Sequence, residues 1–150
     1  SAHRRMIELL NRGEVLPIDL SGQVIYYCGP TPPPPGKVIG SCGPTTSSRM
    51  DEYTPRLLSL GLKGMVGKGK RSKDVVEACK KYKAVYFGAL GGVGALMSKH
   101  VLSSWVVAFD DLGPEAIYEL QVEDMPLFVI NDIYGNDLYE IGRGRFRKPS

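Results

Sequence analysis

Residues 63–87 read KGMVGKGKRSKDVVEACKKYKAVYF. Two short β-type runs, Lys63 to Val66 and Ala84 to Phe87, enclose an amphipathic helix from Ser72 to Tyr82. Ser72 suits the N-cap, and Val75, Val76, Cys79 and Tyr82 recur at helical spacing to make an inner face. Strand, helix, strand is the unit from which α/β domains are built, so this stretch argues against an all-α or all-β chain.

Working outward, Ala2 to Asn11 reads as a helix with Met6, Ile7, Leu9 and Leu10 on one side and Gly13 as a stop. Gln23 to Cys28 is a β run. The segment Gly29-Pro30-Thr31-Pro32-Pro33-Pro34-Pro35-Gly36 resembles an SH3 ligand in composition, but flanking strands make a stiff surface loop the better reading. Val38 to Cys42 reads as a short strand. Arg49 to Leu60 reads as a helix closed by Gly61, with Pro55 as a kink or a restart. Downstream come a glycine-rich helix at Leu90 to His100 and a strand at Trp105 to Phe109. Leu112 to Tyr118 is open between helix and strand. Pro126 to Ile130 is a strand, Asn131 to Asp137 a turn, and Leu138 to Ile141 a last strand. No repeat or linker divides the chain, so 150 residues are read as one α/β domain.

The net charge of +3 is too mild for a nucleic-acid surface. No run is long and apolar enough to span a bilayer; the longest weakly polar stretch, Ala84 to Met97, is short and glycine-rich. Cys28, Cys42 and Cys79 are odd in number and lack CxxC spacing, which argues against a disulfide framework and against a self-contained zinc or iron–sulfur site. A reducing cytoplasm is the simplest context.

Two segments carry candidate chemistry. In Gly40-Ser41-Cys42-Gly43-Pro44-Thr45-Thr46-Ser47-Ser48-Arg49-Met50-Asp51, a hydroxyl cluster stands at an expected helix start and Arg49 one turn in. Such a start favours an anion, and Arg49 adds a planar fork for a carboxylate or phosphate. The plain alternative is an ordinary Ser/Thr cap with a solvated Arg. In Gly64-Met65-Val66-Gly67-Lys68-Gly69-Lys70-Arg71-Ser72, the spacing approaches a phosphate-binding P-loop, but Arg71 stands where Ser or Thr would ligate magnesium. Glycines that let the backbone approach a small anion, with Lys68 as a point charge, fit better. A glycine-bent turn with solvated lysines is the alternative.

Other features read as structural. Gly88-Ala89-Leu90-Gly91-Gly92-Val93-Gly94 lacks dinucleotide spacing. His3 and His100 form no recognisable nucleophile or base set, and Asp110-Asp111 and Glu123-Asp124 suit turns. The residues alone suggest half of a small di-anion site.

The chain resembles the β subunit, or C-terminal domain, of the iron–sulfur-dependent class I fumarases and L(+)-tartrate dehydratases. The resemblance spans nearly all of 1–150. It rests on Ala2-His3-Arg4-Arg5, the Gly29 to Gly36 loop, Gly43-Pro44-Thr45-Thr46-Ser47-Ser48-Arg49-Met50-Asp51, Gly67-Lys68-Gly69, Glu115-Ala116-Ile117, Val122-Glu123-Asp124-Met125-Pro126 and Gly135-Asn136-Asp137. It implies a swivelling β/β/α domain and a hydro-lyase of the tricarboxylic acid cycle that interconverts fumarate and L-malate. The implied partner is an α subunit whose three cysteines hold a 4Fe-4S cluster, so this chain supplies no metal ligand. A homo-oligomer of that heterodimer is expected, in the cytoplasm, without nucleic acid or membrane.

By the same resemblance Thr45 is the catalytic base, coupled to a carboxylate of the other subunit, and Arg49 and Lys68 bind the substrate carboxylates. Thr46, Ser47 and His3 are secondary candidates. The family motif also places an Arg-Asp pair just before the residues matching Ser1-Ala2-His3, with strands before that, so the domain is expected to be N-terminally incomplete here. The alternatives are an L(+)-tartrate dehydratase β subunit, a di-anion binding module without chemistry and, more remotely, a nucleotide-binding domain using Gly64 to Ser72.

Overall fold

All four residues of the strand Gly64–Gly67 are buried, as befits a parallel strand covered on both faces. The computed structural model describes residues 2–28, 35–37, 39–40, 43–89 and 97–146. Among these the order is α1 (Ala2–Asn11), β1 (Val24–Tyr26), a 3₁₀ turn (Ser47–Met50), α2 (Thr54–Ser59), β2 (Gly64–Gly67), α3 (Lys73–Tyr82) and β3 (Val85–Ala89). Then follow β4 (Val101–Ala108), a second 3₁₀ segment (Asp110–Glu115), β5 (Ile117–Val122), β6 (Leu127–Asn131) and α4 (Leu138–Phe146). The protein is therefore a mixed α/β structure, in two units.

One unit comprises Leu20–Tyr27, Thr46–Gly88 and Leu127–Ser150. Its sheet has the order β1-β2-β3-β6, with β1 parallel to β2 and β2 parallel to β3. The β2–α3–β3 segment is the unit expected from residues 63–87. Ser72 caps α3 by accepting from the Val75 amide at 3.3 Å. Asp74 lies in the first turn and Lys80 and Lys81 in the last, matching the helix dipole. Lys83 ends the helix in the left-handed region at φ 57°. Val75, Ala78 and Cys79 are buried, as are Leu57 and Leu58 of α2 and Met65 and Tyr86 of the sheet. Desolvation of this apolar surface supplies the main driving force for packing.

The other unit comprises Ser1–Asp19, Cys28–Thr45 and Ala89–Pro126. Its β4 and β5 form an antiparallel ribbon in which Ser104 faces Leu120 and Trp105 faces Glu119. Met6 of α1 is buried. Arg5 donates to Asp111 Oδ1 at 2.8 Å and lies 5.1 Å from the centre of the Phe109 ring. An isolated antiparallel bridge joins Cys28 and Pro44.

Several expectations need correction. Arg49 to Leu60 is not one helix: the 3₁₀ turn ends at Met50 and α2 begins at Thr54, with Pro55 in its first turn as a restart. Leu112 to Tyr118 divides into the end of a 3₁₀ segment and the start of β5. The strand expected at Trp105 begins earlier, at Val101. Leu138 to Ile141 is helical, not a strand. Its start is fixed by Asp137, whose Oδ1 accepts from the Tyr139 amide at 3.0 Å and whose carbonyl accepts from Ile141 at 2.9 Å. Asp137 followed by Glu140 is the spacing of a capping box, and Gly142 and Gly144 masked it. The proline loop apart from Pro35 and Gly36, the strand expected at Val38 to Cys42 apart from Ile39 and Gly40, and most of the helix expected at Leu90 to His100 lie outside the described residues.

Asp137→Ala removes this cap. It is expected to lower stability by about 1 kcal/mol, read as a lower denaturant midpoint with an unchanged m-value.

Candidate functional site

Gly67, Lys68 and Gly69 leave the end of β2 and run beside Thr46 and Ser47. Thr46 and Lys68 form an isolated parallel bridge, and the Ser47 amide donates to the Lys68 carbonyl at 3.0 Å. The approach is so close that a Cβ on Gly67 would lie 1.9 Å from Ser47 Oγ and 3.0 Å from the Tyr27 ring. Gly69 then turns the chain at φ 90°, a conformation that disfavours any side chain. The two glycines around Lys68 are thus explained by backbone approach on one side and by the turn on the other.

The structure brings Thr46, Ser47 and Lys68 together. Arg49 follows in the same 3₁₀ turn. Its side chain and that of Lys68 are exposed, and among the described residues neither forms an ion pair. Thr46 is exposed and occupies the N-cap position without a side-chain capping bond, so it does not make the ordinary Ser/Thr cap. Ser47 is fully buried and hydrogen-bonded to the Tyr86 hydroxyl at 2.9 Å. Thr45 is half-buried, is the last residue of its segment in the β4–β5 unit, and precedes Thr46 in the chain. His3 lies in α1, but its side chain is outside the described residues. His100 Nδ1 lies 3.0 Å from the Glu123 carbonyl, a structural contact.

Beneath Lys68 lies a polar cluster that the sequence reading did not foresee. The Arg71 side chain is fully buried. Its Nε donates to Asp51 Oδ1 at 2.5 Å and a terminal nitrogen donates to Thr54 Oγ1 at 2.8 Å. The guanidinium also lies 4.7 Å from the centre of the Tyr86 ring and 5.3 Å from that of Tyr27. Burial opposes its charge, but Tyr27 and Asp51 outweigh that and its pKa is raised. Asp51 Oδ2 accepts from the Ser72 amide at 2.7 Å. Arg71 and Ser72, the residues that spoil the P-loop pattern, are therefore both committed to the fold. The signal for Asp51 was its place in the quoted Arg49-Met50-Asp51 run; Tyr86 gave only a β-strand position.

No three His, Cys, Asp or Glu side chains among the described residues are grouped to hold a metal. Cys79 is buried, and burial first of all pushes its thiol up to about 11. No helix among the described residues is long and apolar enough to cross a membrane.

The sequence comparisons agree in one direction. Residues 1–142 match the family model described as Fumarase C-terminus. The chain is 41% identical over 140 residues to fumarate hydratase 2 of Leishmania major, covering 92% of this chain and 25% of that protein. It is 40% identical over 141 residues to the aerobic class I fumarate hydratase of Escherichia coli K12, covering 93% and 26%. It is 39% identical over 145 residues to a Methanocaldococcus jannaschii protein named "Putative L(+)-tartrate dehydratase subunit beta", covering 93% and 74%. The chain spans about a quarter of the length of the two fumarate hydratases.

The buried groups make an alkaline prediction. Tyr86 is pushed up to about 12, mainly by burial, against opposition from Ser47 and Arg71. Both Tyr86 and Cys79 therefore hold their protons more tightly in the folded state than in the unfolded chain. Their contribution is complete below the ordinary values, 9.0 for Cys79 and 10.0 for Tyr86, and is lost as pH rises through the folded ones. Denaturant midpoints are expected to fall between pH 9 and pH 12, with Cys79→Ala flattening the onset and Tyr86→Phe the later part. A flat profile would contradict the burial of both groups.

Proposed function

The chain belongs to the Fumarase C-terminus family, and from that membership we propose that it is the β-type part of a class I hydro-lyase that reversibly hydrates fumarate to L-malate. In this reading it is a swivelling β/β/α domain that forms an active site with a cluster-bearing α subunit. The observation that carries the reading is the fixed bridge between Thr46 and Lys68, from which the exposed charges of Lys68 and Arg49 are presented on short, constrained segments.

Each residue has a distinct task. Arg49 offers a planar fork that can take a carboxylate through two parallel hydrogen bonds. Lys68 offers a compact charge on a flexible stem. A dicarboxylate needs two such grips, and a monocarboxylate only one. Hydration joins hydroxyl to one carbon of the double bond and a proton to the next. Thr45 acts at the second carbon, giving the proton in hydration and taking it in dehydration. An isolated threonine hydroxyl is a poor base, so this task requires a carboxylate coupled to it from the partner. The 4Fe-4S cluster belongs to the partner in this reading and would supply a Lewis acid for the substrate hydroxyl.

A second reading is supported by the 74% coverage of the tartrate dehydratase-named protein. The same two cations then grip L(+)-tartrate, which differs from malate by a hydroxyl at the carbon beside the base. Competition between the substrates separates the two readings.

The test uses the assembly formed with the partner, anaerobically, with fumarate absorbance as the signal. Arg49→Ala and Lys68→Met are each expected to lose about 2–5 kcal/mol of transition-state stabilisation in kcat/KM. Thr45→Ala is expected to lower kcat with little change in KM. Undiminished turnover in these variants would reject the assignments.

A further inference from the structure

Tyr86 lies beneath the Lys68 loop and touches both segments that carry the proposed cations. Its hydroxyl is 2.9 Å from Ser47 Oγ and 2.9 Å from the Gly69 carbonyl. A phenol has one proton, and a carbonyl can only accept. Tyr86 therefore donates to Gly69, and the Ser47 hydroxyl, which also has a proton to give, completes the contact. The Ser47 amide in turn donates to the Lys68 carbonyl at 3.0 Å. Three hydrogen bonds thus enclose the backbone on which Lys68 stands. Both Tyr86 and Ser47 are fully buried, so neither reaches a ligand in solvent. The Arg71 guanidinium 4.7 Å from the Tyr86 ring centre holds the ring in place from behind.

We propose that Tyr86 is a positioning residue of the dicarboxylate site: its hydroxyl fixes the Lys68 loop against the Ser47–Met50 turn, so that the charges of Lys68 and Arg49 are held at the separation a dicarboxylate requires. The inference rests on the reading of Lys68 and Arg49 as carboxylate grips. Tyr86→Phe keeps the ring and its stacking with Arg71 but removes the donor to Gly69. The Lys68 loop then loses its registry with the turn. Affinity for a ligand that uses both charges falls, while a monocarboxylate that uses one is affected less.

The experiment measures KM and kcat for fumarate in the assembly with the partner, for the parent, Tyr86→Phe, Lys68→Met and the double variant. Tyr86→Phe is expected to raise KM about 5- to 30-fold, with a smaller change in kcat. In the Lys68→Met background the same change is expected to alter KM by less than about two-fold, because its effect runs through Lys68. A purely structural tyrosine would lower the melting temperature, leave KM in place and act additively. A folded Tyr86→Phe protein with unchanged KM, or full additivity, overturns the inference while leaving the function intact. Unchanged KM in Lys68→Met overturns both. Ser47→Ala leaves the bond to Gly69 but removes the one by which the Tyr86 hydroxyl is tied to the Ser47–Met50 turn, and it is expected to raise KM in the same direction. If Tyr86→Phe fails to assemble, unchanged KM in Ser47→Ala overturns the inference.

Discussion

A guanidinium sealed from water must be neutralised and hydrogen-bonded where it lies, and that requirement organises the sheet unit around Arg71. Moving a charge out of water costs several kcal/mol even after relaxation, and attraction to an opposite charge recovers this only with good geometry. Arg71 meets the condition. It contacts a carboxylate, a threonine hydroxyl and two aromatic faces. The partners come from distant parts of the chain: Tyr27 follows β1, Asp51 follows the 3₁₀ turn, Thr54 opens α2 and Tyr86 lies in β3. One buried cation thereby fixes the turn after Thr46, the start of α2 and the sheet in a common frame. Removing it would leave the Asp51 carboxylate, itself largely buried, without its counter-charge.

The same reasoning separates structural cations from candidate functional ones within a short span. Lys68, Lys70 and Arg71 are close in sequence and look alike as a basic cluster, and Arg49 is a fourth cation on the adjoining turn. Arg71 is buried against Asp51, and Lys70 pairs with Glu140 of α4. Arg49 and Lys68 stand on the constrained segments with their charges in solvent and no ion pair among the described residues. Charge that the fold has not neutralised is charge available for a ligand. That availability, more than the local density of lysine and arginine, supports the carboxylate-binding reading.

Local rules made the α/β character legible. The β2–α3–β3 unit could be read from residue spacing because its helix has a serine cap, an apolar face and lysines at its end. The segments misread were those where local rules conflict. Residues 138–141 carry β-prone Tyr and Ile and lead to Gly142 and Gly144, yet Asp137 supplies a cap that makes the helix start. Residues 47–60 contain helix-forming residues, but Pro55 sets a new start and the first turn stays 3₁₀. In the site, Lys68 and Arg49 were visible as residue types between glycines and beside hydroxyls. The Tyr86–Ser47 contact was not, because it joins residues 39 positions apart and nothing local to either announces the other.

The resemblance of Gly64 to Ser72 to a P-loop also shows how this loop departs from one. A phosphate-binding loop works because helix N-terminal amides are left free to face an anion. At α3 two of those groups are already engaged. The Ser72 amide donates to Asp51 Oδ2, and the Ser72 hydroxyl accepts from the Val75 amide. The start of α3 thus already holds an anion, the Asp51 carboxylate, in the position an external phosphate would need. With the Asp51 carboxylate already there, the exposed side chains of Lys68 and Arg49 are the better grips for a ligand anion near this loop. Long side chains on a tightly bound backbone suit a substrate with two separated carboxylates better than a polyphosphate. They can adjust to the separation of the carboxylates, while the backbone beneath them keeps the two anchor points apart.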